Sequence, residues 1–498
     1  MRDTSKPQVA LLTGVLLLAA ALRMVGLAQD VRFHPDEAFF SAFARDAVSY
    51  GTWMFPGPLD KTPLSLYASA LSIHFLVTST RDNLIYVDVR AGEFAARLPN
   101  VFASVVLVAL LARLSKVRAR YAASRQTIAT SDDVMLLTGF LAATSPFLLV
   151  FAPSAFTDVF MLFGMVAALL AVMQARPAWG GVWLAFSFAA KQQGVLYLPL
   201  LLVLAWMQGG RHILRLLVTF GLGVMLVLLW DAARGEVSIF AQASLNNDPG
   251  RVFVQPSEWL PRLRVWLGYL GWSLGPPWFT WPLLVVILWQ AVHKQRVSVS
   301  HRIIAAYAVL YGAAHVVVAV NLYDRYMLPV VPLLILMAGQ TMTHYLRRPY
   351  LRRIGMGLRL VFVMVLLMTA VGAVTGGVSL GRDGYPRRPE LLPLVAHLNA
   401  KPLGTIVYDR WLGWELGYYM GSWSDKRRVY YPTPEAMMAD ALQNPERAPR
   451  YFVAPQGAEA EPWLRAFEKI GFAVSLDYAN ADYRVFALVL AGGAVGPG

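Results

Sequence analysis

The sequence predicts an all-α polytopic membrane domain of about eleven transmembrane helices, followed by a small α/β domain outside the membrane. Three observations lead to this fold class. Hydrophobic residues make up 57% of the 498 positions and charged residues only 15%. Long uncharged stretches recur up to position 380, and the composition becomes polar after it. One soluble core cannot bury so much apolar surface, so lipid must be part of the solvent.

The predicted crossings are apolar stretches of roughly the length that a bilayer requires. They cover positions 9–28, 91–112, 134–152, 159–175, 178–190, 194–207, 213–230, 266–292, 303–320, 327–343 and 360–380. The first stretch is too long for a signal peptide and lacks a small-x-small cleavage site, so we expect a retained anchor. Segment 63–80 would reverse the sidedness if it crossed, which favours a position at the outer interface.

The two short stretches 178–190 and 194–207 count as two crossings because this places the basic loops on one side of the membrane. The N-terminus is then cytoplasmic, together with Arg113, Lys116, Arg118, Arg120, Arg125, Arg211, Arg215, Lys294, Arg296, Arg302, Arg347, Arg348, Arg352 and Arg353. The loop 29–90 and the tail face outward. We therefore expect an integral protein of a bacterial-type cell membrane with an extracytoplasmic C-terminal domain.

Two domains are predicted: a transmembrane domain over 1–380, which includes the first outer loop 29–90, and an α/β domain over 381–498. In the tail, β-rich runs at 405–408, 428–431, 451–453 and 484–490 alternate with helical patterns at 434–442 and 462–470. The chain contains no cysteine, which excludes disulfides, thiolate nucleophiles and Cys-ligated metals.

The chain has 44 Lys and Arg against 30 Asp and Glu. Such an excess of positive charge could suggest a nucleic-acid partner. The basic residues instead lie in short runs between apolar stretches, where they orient a membrane protein. We expect membrane lipid and no nucleic acid among the partners.

Candidate site residues collect on the predicted outer side. Asp36 and Glu37 follow Pro35 at the start of a predicted interfacial helix, where acids are also common as helix caps. A carboxylate near the bilayer interface is equally suited to act as a general base, because poor hydration raises its pKa. The sequence is compatible with both helix capping and catalysis as roles of Asp36 and Glu37. His34 and Tyr326 lie beside the candidate residues and could contact the donor or the acceptor.

Two lysines are candidate phosphate ligands. Lys61, in Asp60-Lys61-Thr62-Pro63, should lie at headgroup depth, where it could bind either bulk lipid or one substrate phosphate. Lys191 lies between two short apolar stretches, and such interruptions are common polar sites in membrane proteins.

Two further charged residues complete the set. Asp158 opens a crossing on the outer side, so it could cap that helix or act near a reaction centre. Arg325 could pair with the adjacent Asp324, or offer its guanidinium to a phosphate.

These motifs, in this order, resemble the C-type (GT-C) polytopic membrane glycosyltransferases. The motifs are Asp36-Glu37, Asp60-Lys61-Thr62-Pro63-Leu64, Ala96-Arg97-Leu98-Pro99, Ser154 with Asp158, Lys191, and Arg325-Tyr326 with Pro329. The nearest resemblance is to glycosyltransferase family 39, the protein O-mannosyltransferases, and to the related aminoarabinose transferases. It covers about two-thirds of the chain, positions 8–343. Thr62 stands where the family has proline, and the tail differs from the best-known members.

The resemblance implies a transferase that moves a sugar from a polyprenyl-phosphate donor to an unknown glycan, lipid or protein acceptor at the outer face. Asp36, supported by Glu37, would be the essential carboxylate, and Asp158 a second acid near the reaction centre. Lys61, Lys191 and Arg325 would bind the donor phosphate. The implied reaction is a single displacement with inversion, and it requires no cofactor. Some relatives bind a divalent cation, for which Asp36, Glu37, Asp158 and His34 carry suitable ligand atoms.

Two other classes of protein fit parts of the sequence. A transporter or flippase of lipid-linked or polar substrates usually has repeated halves and mid-membrane ionisable residues, neither of which is visible here. A non-catalytic scaffold would explain the tail but would make the outward polar cluster a coincidence.

Overall fold

The computed structural model of the chain describes residues 6–81, 84–122, 128–293, 298–347, 356–382, 385, 387–420, 426–443 and 448–490. The chain forms two compact units. The first comprises positions 1–29, 54–69 and 96–384, and the second comprises 30–53, 70–95 and 385–498. The predicted division at position 380 assigned the whole first loop to the membrane domain. Here two parts of that loop belong to the unit that contains the tail.

The first unit is helical. Its helices are Lys6–Leu27, Ile128–Thr144, Pro146–Phe151, Asp158–Met173, Pro177–Ala190, Leu198–Trp206, Gly210–Ala233, Ile239–Asn247, Pro256–Leu270, Pro277–His293, Val299–Val317, Val331–Leu346 and Met356–Thr375, with parts of Leu64–Val77 and Val89–Ala122. Short 3-10 helices occur at Gln192–Tyr197 and Asp324–Met327.

Helix length and composition support an integral membrane protein. Among the described residues, three helices are long and apolar enough to cross a bilayer, namely Pro7–Leu27, Val89–Ala119 and Gly210–Ala233. Four shorter apolar helices are Leu64–Val77, Asp158–Met173, Gln192–Trp206 and Arg359–Thr375. The count of eleven crossings and the sidedness of the loops stay predictions. Six of the predicted cytoplasmic cations lie outside the described residues: Arg125, Lys294, Arg296, Arg348, Arg352 and Arg353.

The predicted single span at 266–292 is wrong. The structure has two helices there, Pro256–Leu270 and Pro277–His293. Pro277 opens the second helix, because proline lacks the N–H that a helix interior needs but fits the first turn. A prediction from apolar composition alone therefore merged two helices, whereas the structure begins a new helix at Pro277.

The interruption predicted at 191–193 is present, between Pro177–Ala190 and the 3-10 helix Gln192–Tyr197. Two glycines pack closely against Ser187 beside it. A Cβ on Gly164 would lie 2.8 Å from Ser187 Cα, and one on Gly194 would lie 2.6 Å from the Ser187 carbonyl carbon. Larger side chains would push these backbones apart. The Ser187 hydroxyl donates to Met161 O at 2.8 Å, which fixes the helix before the interruption.

The second unit combines helices with two sheets. Its helices are Pro35–Tyr50, Leu391–Asn399, Gly413–Tyr419, Pro434–Gln443 and Glu461–Lys469. Strands β1 (Thr78–Arg81) and β2 (Leu84–Val87) form an antiparallel pair that the sequence analysis missed.

The larger sheet has five strands: β3 (Ile406–Asp409), β4 (Arg427–Tyr430), β5 (Arg450–Pro455), β6 (Phe472–Ala479) and β7 (Tyr483–Leu490). Their order is β4-β3-β5-β7-β6. β3 is parallel to β4 and β5, and the other pairs are antiparallel. All four residues of β3 are buried, as expected of a strand covered on both faces.

The predicted small α/β tail is confirmed. Four predicted strands and two predicted helices are present, whereas β6 and the helices Leu391–Asn399 and Gly413–Tyr419 were missed. The core of the sheet includes Tyr408, Phe452 and Trp463. Helix Gly413–Tyr419 is only seven residues long, too short for a clear helical period in the sequence.

Asp409 ends β3 and fixes the turn into helix Gly413–Tyr419. Its Oδ1 accepts the Leu412 backbone N–H at 2.6 Å. Burial, together with the negative charge of the nearby Glu415, raises the pKa of Asp409 to about 7, although the backbone hydrogen bonds oppose the shift. An unfolded aspartate titrates near pH 4. Since the folded pKa is the higher one, the stabilisation is complete below about pH 4 and is lost as the pH rises through about 7.

Asp409→Asn should therefore stabilise the protein at alkaline pH. The amide keeps an acceptor oxygen for the Leu412 N–H but cannot ionise. We expect the melting temperature of the variant, relative to wild type, to rise between pH 4 and 7 and to level off above it. The corresponding gain in the free energy of unfolding above pH 7 should be at most roughly 4 kcal/mol. Thermal unfolding of the purified protein across pH measures this difference.

Asp477→Asn is the control with the opposite sign. Burial opposes ionisation of Asp477, but hydrogen bonds from Lys401 and His397 outweigh it and lower the pKa of this carboxyl. This variant should lose stability at neutral pH, and the loss should fade as the pH falls. A pH-independent difference for Asp409→Asn would contradict the assignment.

Candidate functional site

Lys191 and Asp158 form a buried ion pair in the first unit. Lys191 Nζ lies 2.7 Å from Asp158 Oδ1, and the two side chains are only 5% and 2% exposed. Asp158 is the first residue of its helix, where Thr157 occupies the cap position without a side-chain capping bond. The structure therefore gives the Asp158 carboxylate an ion-pairing role in addition to its favourable place at a helix start.

Lys61 is likewise held by a carboxylate. Its Nζ lies 2.7 Å from Asp60 Oδ2, and its side chain is 13% exposed. An anchor to bulk lipid needs an exposed ammonium, so this burial favours a defined ligand instead. Gln192, next to Lys191, donates to the Asp60 carbonyl at 3.1 Å. The two lysine-bearing loops of the first unit are therefore directly joined.

Arg325 and Tyr326 lie in the 3-10 helix Asp324–Met327. Lys191 Nζ is 5.8 Å from the centre of the Tyr326 ring, and the positive charges of Arg325 and Lys61 both act on Lys191. The Arg325 guanidinium packs 4.9 Å from the ring centre of Phe156. The first unit thus brings together Lys61, Lys191 and Arg325, which we call the cation cluster.

Asn100 fixes the segment that leads to Asp158. Its Nδ2 donates to the carbonyls of Ser154 and Phe156 at 2.6 and 2.7 Å. It follows directly on the Ala96-Arg97-Leu98-Pro99 motif, within the helix Val89–Ala122. The residue directly after that motif therefore holds the turn before Asp158.

An apolar groove of about 520 Å³ begins at the residues that follow Lys191. Most of its surface is apolar, although polar side chains also line it: Gln192, Gln193, Ser244, Asn247, His315, Asn321 and Tyr326. Most of the remaining lining is hydrophobic: Leu196, Phe240, Ala243, Tyr311, Ala314, Val318 and Val320. The groove can accept an apolar chain whose polar end lies near the cation cluster.

Arg234 supports the loop that bears Lys61, a role that sequence reasoning missed. Its guanidinium donates to the carbonyls of Phe55 and Gly57 at 3.0 and 2.8 Å. Phe55 is buried and has φ of +49°, a conformation that costs a non-glycine residue energy. Asp231 lies 3.3 Å from Arg234. A lone arginine at the end of an apolar stretch gives no sequence signal for this function.

In the second unit, His34 and Glu37 form a capping box at the start of helix Pro35–Tyr50. His34 Nδ1 accepts the Asp36 backbone N–H at 3.2 Å, and Glu37 Oε2 accepts the His34 N–H at 3.0 Å. The capping role considered for Asp36 and Glu37 therefore falls to Glu37, and His34 is the cap residue, which was not predicted. The half-buried Asp36 carboxylate takes no part in this box.

Residues of the tail hold the turn before Asp36. The Tyr419 hydroxyl accepts the Phe33 backbone N–H at 2.8 Å and donates to Glu93. Glu93 in turn pairs with Arg32 at 2.8 Å. Because Tyr419 is 386 positions from Phe33, no local pattern could have predicted this contact.

Helix Gly413–Tyr419 is fixed to helix Pro35–Tyr50 in the same way. Arg45 donates to the Gly417 carbonyl at 3.0 Å and to that of Tyr418. Carbonyls of a last helical turn lack partners within the helix, and a cation beside them is favourable.

Glu415, on the same short helix, is a buried carboxyl near Asp36. Burial raises the pKa of Glu415, the Tyr385 hydroxyl opposes this by donating to it, and the negative charge of Asp36 raises it further. Tyr385 also packs against His34, with ring centres 5.3 Å apart. The turn that bears Asp36 therefore faces polar groups from the tail.

A metal ion needs several ligand side chains in a defined geometry. Among the residues that the structure describes, no set of three or more His, Asp or Glu side chains is arranged to hold a metal ion. His34 and Glu37 use polar side-chain atoms in the capping box. Asp158 uses a carboxylate oxygen in its ion pair with Lys191. The bound cation implied by some relatives stays an untested expectation.

Solved structures with similar backbones include ArnT from Cupriavidus metallidurans bound to undecaprenyl phosphate. That likeness has a TM-score of 0.59 at 14% identity and covers 99% of this chain and 100% of that one. The apo state of the same protein gives 0.58 at 15% identity, covering 96% and 97%. This chain has a GT-C-like glycosyltransferase fold. The fold expected from the motifs is thereby confirmed.

A weaker likeness is to the Saccharomyces cerevisiae protein O-mannosyltransferase Pmt1-Pmt2 complex bound to the sugar donor. It has a TM-score of 0.35 at 16% identity and covers 53% of this chain and 37% of that one. A score this low does not establish a shared fold. No protein-family model and no curated protein sequence matches the chain.

Arg234→Gln should loosen the Lys61 loop. The shorter amide cannot reach all the carbonyls that the guanidinium bonds, and it leaves Asp231 without its cation. Removing one partner of a buried pair costs about 3–5 kcal/mol. We expect faster amide hydrogen exchange at positions 54–63, measured by mass spectrometry. The control is Arg251→Gln, which breaks an exposed ion pair with Glu258 and should change little. Equal protection of the loop in all three proteins would rule out the anchoring role.

Tyr419→Phe should loosen the turn before Asp36. The change removes one hydroxyl and leaves the buried Phe33 N–H without its acceptor, at a cost of about 1–3 kcal/mol. Amide exchange at positions 31–37 should accelerate roughly ten-fold or more. Tyr430→Phe is the matched control, since that tyrosine is 50% exposed. If both variants behave alike, the hydroxyl of Tyr419 does not hold the turn.

Proposed function

We propose that the protein is a membrane glycosyltransferase that moves a sugar from a polyprenyl-phosphate donor to an acceptor at the outer face. The cation cluster beside the apolar groove carries this proposal. The ammonium groups of Lys61 and Lys191 are each oriented by a carboxylate 2.7 Å away, and the groove starts at the next residues, Gln192 and Gln193. A phosphate attached to a long apolar chain matches both features.

The fold supports the same class of donor. ArnT, whose structure has been solved with undecaprenyl phosphate, shares the GT-C-like backbone over nearly the whole chain. A polyprenyl chain gains roughly 0.8 kcal/mol for each CH₂ that it buries. The donor is then held by its lipid, and no soluble nucleotide site is needed.

The proposed reaction is a single displacement. An acceptor hydroxyl attacks the anomeric carbon, the bond from that carbon to the phosphate oxygen breaks, and the electron pair leaves with the phosphate. Asp36 takes the hydroxyl proton. Lys61, Lys191 and Arg325 stabilise the charge that develops on the departing polyprenyl phosphate. Attack from the face opposite the leaving group inverts the anomeric configuration.

Each candidate residue has a specific role in this proposal. Glu37 and His34 hold the helix start that presents Asp36, and Asp158 keeps Lys191 oriented and charged. Tyr326 lines the groove beside Lys191 and contacts the donor. An acceptor that is already an anion needs no base, and Asp36 would then orient it.

The test is sugar transfer by purified protein in lipid, with a panel of synthetic polyprenyl-phosphate sugars and a membrane extract as the acceptor mixture. Asp36→Asn should lower kcat by about 10²–10⁴-fold while donor binding persists. Lys61→Ala and Lys191→Ala should lower kcat/KM by about 10²–10³-fold. The control Arg251→Ala, in an exposed ion pair, should keep full activity.

Folding of each variant is checked by its melting temperature, because Lys191→Ala leaves Asp158 buried without its cation. Lys191→Met with Asp158→Asn removes both charges and separates lost folding from lost chemistry. Full activity in folded Asp36→Asn and Lys61→Ala would refute the assigned roles. No transfer by wild type from any donor would favour a transporter of lipid-linked substrates.

A further inference from the structure

Arg118 is a buried cation far along its helix from the cation cluster. It lies 18 residues after Asn100 in helix Val89–Ala122, which corresponds to about 27 Å at 1.5 Å per residue. Asn100 contacts the segment just before Asp158. Arg118 is only 2% exposed. The proposed transfer reaction makes no use of it.

The guanidinium of Arg118 is poorly satisfied. Its Nε and Nη1 are buried and have no hydrogen-bond partner among the residues that the structure describes. Its Nη2 lies 3.5 Å from His301 Nδ1, at the limit of a hydrogen bond. No carboxylate of the described chain forms an ion pair with it. A buried charge without compensation is among the most costly features of a folded protein.

His301 adds a second unsatisfied group beside Arg118. Its Nδ1 is 3.2 Å from Gln340 Oε1, and its Nε2 is buried without a hydrogen-bond partner in the described structure. If Nδ1 carries the proton for Gln340, it cannot accept from Arg118. The contacts to Gln340 and Arg118 therefore compete, and Arg118 is left with still fewer bonds.

A second buried cation on the same helix has its own carboxylate. Lys116 pairs with Asp132, and both side chains are buried, at 2% and 3% exposure. Asp132 therefore pairs with Lys116, and within the part of the chain that the structure describes no carboxylate pairs with Arg118. Helices Val89–Ala122 and Val299–Val317 contribute Arg118 and His301, and Val331–Leu346 contributes Gln340. The two unsatisfied groups, the Arg118 guanidinium and His301 Nε2, therefore come from separate helices and lie at one place.

We propose that the Arg118 guanidinium, beside His301, forms a binding site for a phosphate-type anion, separate from the site of sugar transfer. A guanidinium matches phosphate oxygens in geometry and charge. Water could accept from the same donors but would not neutralise the charge. Basic sites between membrane helices commonly hold the headgroups of anionic lipids, and inorganic phosphate has the same chemistry.

The experiment compares two sources of this anion by thermal unfolding. The full-length protein is studied in detergent with increasing inorganic phosphate at constant ionic strength. It is then studied in nanodiscs of phosphatidylcholine with and without phosphatidylglycerol. A saturating ligand should raise Tm by roughly 3 °C or more. A response to phosphate identifies a soluble anion, and a response to phosphatidylglycerol alone identifies a lipid headgroup.

Two variants test whether the rise in Tm depends on Arg118. Arg118→Met removes the charge at similar volume and should fold, while its response to phosphate and to phosphatidylglycerol is lost. Arg118→Gln also removes the charge and replaces the methionine variant if methionine packs poorly. The control Arg347→Gln removes an exposed arginine that pairs with Asp133, and it should respond like wild type.

The proposal is overturned if wild type responds to neither probe, or if the Met and Gln variants respond as wild type does. Sugar transfer in phosphatidylcholine should be the same for wild type and Arg118→Met. Failure of the transferase proposal would leave these unfolding results unaffected, since they require no activity.

Discussion

The buried pair of Lys191 and Asp158 is the constraint on which the first unit depends. A lysine can be buried among membrane helices only if a carboxylate lies beside it. The helix that ends at Ala190 must therefore stop where Lys191 can reach Asp158, and the close packing of Gly164 and Gly194 on Ser187 permits that approach. Gln192 then ties the Lys61 loop to the same point. One ion pair thus organises the cation cluster and the entrance of the groove.

The second unit holds a largely buried turn, at positions 32–37, in a fixed geometry. The capping box of His34 and Glu37 fixes the start of helix Pro35–Tyr50 from within. Tyr419 fixes the residues before it from a distant part of the chain. Fixed turns suit a carboxylate that must meet its substrate in a defined geometry. Residues of the tail are therefore part of the support of Asp36.

Three buried arginines illustrate how differently a cation can be accommodated. Arg23 donates to Ser104 at 2.7 Å and to backbone carbonyls, including that of Ala143 near the end of a helix. Arg234 satisfies loop carbonyls and pairs with Asp231. Arg118 has neither arrangement within the described chain. Groups of the protein accept the hydrogen bonds of Arg23 and Arg234. For Arg118 we propose an acceptor from outside the chain.

Composition and hydrophobic periodicity predicted the membrane environment and the α/β tail without coordinates, and the order of the motifs predicted the GT-C-like fold through the family resemblance. Lys61, Asp158, Lys191 and Arg325 were candidates from the sequence, and the structure brings these four together in one unit. The three-dimensional structure was needed to show that Asp158 pairs with Lys191, that Arg234 holds the Lys61 loop, and that Tyr419 holds the turn before Asp36. Such contacts join residues tens to hundreds of positions apart, and the folding of the chain, rather than any local pattern, selects them.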